Sequence, residues 1–239
     1  MSGEDNSAEI ALVTGASHGI GAATAEALAK TGVHVVLTGR DNRALEQVEE
    51  KIFEAGGSAT IAPVDLAEPD GIARLATAVF QRWGRLDILV INAAILPQLT
   101  SVADIDQRAF NQALTVNVLA TQALIANFDR MLRKSENPRV IGLTSSVGSK
   151  PRAYWGAYGA SKAAFDVLLD CYAQETQNIS KIRVAIVNPG ATRTAMRARA
   201  YPGEDPKSLK TPDVVADRIV SLLGEPFATG HRESINQVR

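Results

Sequence analysis

Short apolar runs alternate with longer segments of helical period along this chain, and that rhythm leaves few folds open. The runs at 10–14, 34–38, 59–64, 86–91, 139–144 and 183–188 are rich in Val, Ile and Leu without strict alternation, as strands covered on both faces are. Between them the period changes. Leu45, Val48 and Ile52 recur at spacings of three and four behind Asp41 or Asn42 as a cap. Thr211-Pro212-Asp213 reads as N-cap, first-turn proline and first-turn acid, ahead of an apolar stripe of Val215, Ile219, Leu222 and Leu223. Strands and helices in alternation predict an α/β fold, a doubly wound Rossmann-type parallel sheet of about seven strands with helices on both faces. The 239 residues are enough for one such domain with a substantial core. No repeat, low-complexity tract or linker divides them, so a single domain over 8–239 is expected, behind a flexible N-terminus at 1–7.

Composition excludes several classes. A net charge of -1 implies no polyanion-binding surface, hence no nucleic acid. Three histidines and one cysteine cannot build a structural zinc site, and no metal is expected. Cys171 falls on an apolar helical pattern and is expected to be buried. The first seven residues lack the basic and apolar regions of a signal peptide, and no apolar run reaches the roughly 18 residues a membrane span needs. A cytoplasmic protein is the expectation.

The turn Thr14-Gly15-Ala16-Ser17-His18-Gly19-Ile20-Gly21 follows the first strand directly and opens a helix. Glycines let backbone approach a pyrophosphate, and a helix N-terminus offers unpaired N–H groups and a positive dipole end. The spacing is Gly-x-x-x-Gly-x-Gly rather than Gly-x-Gly-x-x-Gly, and its position between strand and helix supports a dinucleotide site. The second strand ends at Thr38-Gly39-Arg40. An NAD site usually has a carboxylate near here for the ribose 2′-hydroxyl; Gly39 has none, and Arg40 suits a 2′-phosphate. NADP(H) is therefore expected over NAD(H).

Tyr158 and Lys162 stand four residues apart, on one face of a helix if one forms there. A cation beside a phenol favours phenolate, so the tyrosine pKa is expected to fall below about 10, giving an acid/base for a carbonyl or alcohol oxygen.

These residues, in this order, resemble the short-chain dehydrogenase/reductase family over about 10–230. The resemblance implies hydride transfer between nicotinamide and a carbonyl or alcohol carbon, with Tyr158 as proton donor or acceptor. Gly15, Ser17, His18, Gly19, Ile20 and Gly21 would hold the pyrophosphate; Asp65, next to Leu66, would contact the adenine; Asn92 and Ala93 would line the cleft. Asn117 would hold a water in a proton relay, and Ser145, thirteen before the tyrosine, would bind the substrate oxygen. Lys162 would bind the nicotinamide ribose, and Pro189, Gly190, Thr192 and Thr194 would pass near the nicotinamide. Ala94 stands where the family usually has glycine, and the C-terminal segment lacks the Gly-Gly end common there. Tyr154–Tyr158 and Thr192–Arg197 resemble a bacterial branch whose substrates are largely unassigned.

Residues 191–210 read as a substrate lid, rich in turn residues and cations, with a last strand expected at 233–238. Arg193, Arg197, Arg199, Lys207 and Lys210 leave an anionic substrate open, though solvated lid charges explain them as well. The partner expected is a small carbonyl or alcohol compound, with pairing into a homodimer or homotetramer through helices at 106–131 and 156–177. Two rivals remain: an NAD-dependent alcohol dehydrogenase, against which Gly39 and Arg40 argue, and a non-catalytic dinucleotide-binding regulator, which would be expected to lose Ser145, Tyr158 or Lys162.

Overall fold

The computed structural model describes residues 8–235, so the N-terminal stretch at 1–7 and the end of the expected last strand, 236–238, lie outside the described residues. Among the described residues seven strands form one parallel sheet in the order β3-β2-β1-β4-β5-β6-β7. They are β1 Ile10–Thr14, β2 His34–Thr38, β3 Ser58–Ile61, β4 Ile88–Ile91, β5 Arg139–Leu143, β6 Arg183–Asn188 and β7 His231–Ser234. The continuous apolar character of the strands now has its reason. Successive side chains of β1 enter opposite cores, Ala11 and Val13 on one face, Ile10 and Leu12 on the other.

Helices α1 Gly19–Ala29, α2 Asn42–Glu54 and α9 Pro212–Gly224 cover the first face, through Ala25 and Leu28, Leu45 and Val48, and Val215 and Ile219. Helices α3 Gly71–Trp83, α5 Ala120–Leu132 and α7 Gly156–Thr176 cover the second, through Leu75 and Val79, Leu124 and Phe128, and Phe165 and Leu169. Gly142 lets α7 settle onto β5: a Cβ there would stand 2.2 Å from Leu169 Cδ1. Three shorter helices are α4 Gln107–Leu114, α6 Ser146–Ser149 and α8 Ala195–Ala200. A π-helical turn, Thr115–Leu119, joins α4 to α5. Among the described residues no helix is long and apolar enough to cross a membrane.

Some boundaries differ from expectation for local reasons. β3 ends at Ile61, although on either side of Pro63 the N–H groups of Ala62 and Val64 still donate to Leu37 O and Gly39 O. β4 starts at Ile88, after Asp87 has turned its carboxylate onto the Ile10 N–H at 2.8 Å. β7 begins at His231, two residues before the expected start, directly after Gly230 in the left-handed region (φ 83°). Asp41 caps α2 through its side chain at 3.1 Å, whereas Thr211 makes no side-chain cap bond among the described residues. Cys171 is exposed, a correction of the buried position expected for it. Helix α7 carries apolar residues on both sides, Val167 being 60 % exposed, so its apolar pattern does not tell inside from outside.

Candidate active site

The site grows from the gap between β1 and β4, where the strand order reverses and loops leave the sheet in opposite directions. Thr14 ends β1 with its hydroxyl donating to Val90 O and accepting from the N–H groups of Asn92 and Ala93, at 2.9 and 3.0 Å. Asn92 answers from just beyond β4, its amide donating to Thr14 O (2.9 Å) and Gly15 O (3.3 Å). The glycine turn is thus clamped to the next strand before any ligand arrives. Gly15 and Gly19 have φ of 65° and 58°, the left-handed region that favours glycine. Gly21 serves differently: it packs against the turn, and a Cβ on it would come within 2.1 Å of Gly15 O. His18 precedes α1 in extended backbone and makes no side-chain cap bond among the described residues. The first N–H groups of α1 are therefore not taken by a side-chain cap.

A cavity of about 340 Å³ runs along this edge. Its walls include Gly15, Ser17, His18, Gly19, Ile20, Arg40, Asp65, Leu66, Asn92, Ala93, Tyr158, Lys162, Pro189 and Thr194, all expected from the sequence. Gly21, Asn117, Ser145, Gly190 and Thr192 were expected there too, and they stand behind or beside these walls. Thr192 is buried, donates to Pro189 O at 3.1 Å, and bridges to Lys210 at the stem of the lid. Asn117 sits in the π turn, 1 % exposed. Its amide donates to Ile95 O and Ser161 Oγ, and its carbonyl accepts from the Ile95 N–H. That side chain ties the Ile95 backbone to the Ser161 hydroxyl, with both amide hydrogens engaged. Ser145 precedes α6 with its hydroxyl in no cap bond among the described residues.

Other wall residues carried no sequence signal of their own: Thr38, Val64, Ile95, Val116, Leu143, Thr144 and Met196. Two of them are telling. The hydroxyls of Thr38 and Thr144 are buried without a hydrogen-bond partner among the described residues. Both sit at strand ends on the cavity wall, Thr38 beside Gly39 and Arg40, Thr144 beside Ser145. Orphaned buried hydroxyls on a cavity wall, positive-φ glycines and a helix start together suit a polar, phosphate-bearing ligand.

Helix α7 delivers Tyr158 and Lys162 one turn apart, both buried. Lys162 Nζ donates to Leu143 O at 2.7 Å and lies 4.3 Å from the Phe165 ring centroid. Burial lowers the Lys162 ammonium to about 8, with Asp166 pulling the other way. The Tyr158 hydroxyl donates to Met196 Sδ at 4.0 Å, and burial raises it to about 12. This corrects the expected fall below 10: removing the phenol from water raises it, while the neighbouring ammonium donates to Leu143 O. At neutral pH the phenol keeps its proton.

The lid, residues 191–210, carries α8 and a 3₁₀ turn, Pro206–Ser208, and its stem closes where the Arg193 N–H donates to Lys210 O at 2.9 Å. Its cations are largely engaged. Arg197 makes two bonds of 2.6 Å to Glu204 and stacks 3.7 Å from the Tyr201 centroid. Arg199 donates to Leu96 O at 2.7 Å and Lys210 to Ala191 O at 3.1 Å.

Comparison with known proteins gives this arrangement its relatives. The profile of the family described as short chain dehydrogenase matches residues 9–205. The protein named "Uncharacterized oxidoreductase YciK" of Escherichia coli K12 is 37% identical over 219 residues, 90% of this chain and 86% of that one. A short chain dehydrogenase of Shigella flexneri, solved with NADP, superposes with a TM-score of 0.90 at 36% identity, covering 95% of this chain and 96% of that one. One from Escherichia coli CFT073, solved with NADPH, gives 0.90 at 37% identity over 95% of both.

Proposed function

This chain belongs to the short chain dehydrogenase family, and from that premise we propose that it is an NADP(H)-dependent oxidoreductase, transferring hydride between the nicotinamide and a carbonyl or alcohol carbon, with Tyr158 as the acid/base. The observation that carries this reading is one cavity lined both by the Gly15–Ile20 turn with Arg40 and by Tyr158 with Lys162. The turn and the start of α1 hold the pyrophosphate, Asp65 and Leu66 border the adenine, and Arg40 receives the 2′-phosphate. Gly39 offers no carboxylate to a free 2′-hydroxyl, and the relatives solved with NADP and NADPH support the same preference.

Bound there, the nicotinamide supplies the hydride. Tyr158, protonated at neutral pH, gives its proton to the carbonyl oxygen in reduction and takes one back in oxidation. Lys162, held by Leu143 O, stands one turn away, where a ribose hydroxyl or a developing phenolate meets its ammonium. Ser145, at the start of α6, is the second hydroxyl for the substrate oxygen. Asn117 acts by bracing Ile95 and α7 rather than by touching the reacting atoms. A cytoplasmic setting fits this chemistry. Copies pair through α4–α5 and α7, where Leu119 and Val167 are exposed.

The test is a fluorescence titration with NADPH and NADH, on the parent and on Arg40→Ala. Tight NADPH and weak NADH binding in the parent, with the difference shrinking at least about tenfold in the variant, is the expected result; each tenfold is about 1.4 kcal/mol. Equal affinity for both in the parent would refute the NADP(H) preference.

A further inference from the structure

Tyr158 and Met196, on the cavity wall, are backed by a layer whose chemistry differs from the phosphate end. Tyr158 belongs to an apolar cluster with Leu96 and Val147, against which Leu99, Trp155, Met196 and Ala200 pack. Trp155 meets the Tyr158 ring edge-on, centroids 6.1 Å apart, and lies 5.7 Å from Tyr201. The cluster continues outward. Tyr154, the next residue before Trp155, is 63 % exposed and held at a φ of 72°. Its carbonyl accepts from the Thr100 N–H at 3.2 Å, two residues from Val102, which is 74 % exposed. Tyr154 and Val102 are thus exposed apolar side chains on two segments joined by that backbone bond, Tyr154 directly preceding Trp155 of the cluster.

Three cations of the lid, and Arg152 beside it, already have other partners. Arg197 faces Glu204 and Tyr201, Arg199 faces Leu96 O, and Lys210 faces Ala191 O. Arg152 reaches the Tyr201 hydroxyl at 3.4 Å. The reacting phenol itself has one polar neighbour within reach among the described residues, the Met196 thioether at 4.0 Å. A sulfur is a weak acceptor on a flexible, adaptable side chain.

We propose that the substrate is an uncharged ketone or aldehyde bearing an aromatic or branched apolar group next to its carbonyl, and that Met196 sets the size of that group. This rests on the oxidoreductase reading above. The carbonyl oxygen takes the place of the Met196 sulfur at the Tyr158 hydroxyl. The apolar group then packs against Leu96, Val147 and Trp155, and the Met196 side chain folds back as its outer wall. A carboxylate in the same place would lose its water while Arg197, Arg199 and Lys210 stay with the partners they already have.

The test uses the protein saturated with NADPH and a series of methyl ketones whose second substituent is carboxylate, isopropyl, cyclohexyl or phenyl. Binding is read from the change in nicotinamide fluorescence, in the parent and in Met196→Ala. The apolar members are expected to bind at least about tenfold more tightly than the keto acid. Met196→Ala is expected to shift the optimum toward the largest member. The inference is overturned if the keto acid binds as well as the apolar members, if no apolar member binds, or if Met196→Ala leaves the order of affinities unchanged. A protein that binds NADPH yet prefers the carboxylate overturns this inference alone; a protein that binds no NADPH overturns the oxidoreductase reading with it.

Discussion

Two buried residues one helical turn apart are pushed away from charge in opposite senses, and this makes them separable by experiment. The Tyr158 hydroxyl meets only the weakly accepting Met196 sulfur among the described residues, so Tyr158→Phe removes little that holds the fold. Its melting midpoint should stay within a few degrees of the parent while turnover falls about 100- to 10,000-fold, the usual worth of a lost general acid. Lys162 carries a stability signature. Its folded pKa is lowered from 10.5 to about 8, so the unfolded chain holds more protons between those values, and stability from this group rises with pH across that window. Tyr158, raised from 10.0 to about 12, works the other way, its contribution being full below about 10 and lost as pH climbs from there through about 12. Urea unfolding at about pH 7.5 and about pH 9.5 isolates the lysine: the parent should gain on the order of 1–2 kcal/mol from it, and Lys162→Met should lack that gain. The pair itself is legible in the sequence through its spacing. The direction of the tyrosine shift is not, because spacing reveals the neighbouring cation but not the burial.

At the scale of elements, the glycine turn and the helix behind it act as one unit. Gly15 is special for its backbone angle, Gly21 for its neighbour, and only the first kind of need can be guessed from a motif. Gly21→Ala should cost roughly 1–3 kcal/mol as its methyl displaces the Gly15 carbonyl, with a matching loss of NADPH affinity. Gly224→Ala, where a Cβ would meet nothing within 4 Å, is the control and should change neither. Denaturant midpoints and cofactor titrations of the two variants decide this. The π turn at Thr115–Leu119 was invisible in the sequence, since its apolar residues fit an α-helix as readily. Asn117 marked it only by being polar between Val116 and Val118. Wall residues such as Thr38, Thr144 and Met196 stayed hidden for a related reason: each belongs to a strand end or lid helix whose position depends on the assembled sheet.

For the whole molecule, the two ends of the sheet do different work. The carboxyl ends of the strands open into the cavity, while the amino ends are pinned. Asp87 accepts from the Ile10 N–H, Arg85 and Ser135, and Arg139 ties Leu223 O and Glu9 to the start of β5. Asp87→Ala leaves several donors unmet in a buried setting and should lower stability by about 3 kcal/mol, leaving cofactor affinity nearly unchanged. Chemical denaturation beside an NADPH titration tests that separation. The architecture is legible from the alternation of strand and helix because every strand but the last announces itself by apolar content; β7, His231–Ser234, is polar and starts two residues before the 233 its sequence suggests. The strand order also bears on how the protein is made. β1 gains one neighbour when β2 emerges from the ribosome, and its other side waits for β4, more than seventy residues behind it. From then on each new strand docks at the same growing margin, through β5 and β6 to β7. Until the next strand arrives, the nascent chain shows an apolar, unpaired edge, a template for association between neighbouring polysomal chains. Release before residue 231 leaves the edge of β6 in that state permanently, so prematurely terminated chains of this protein should collect in inclusion bodies rather than persist as soluble fragments.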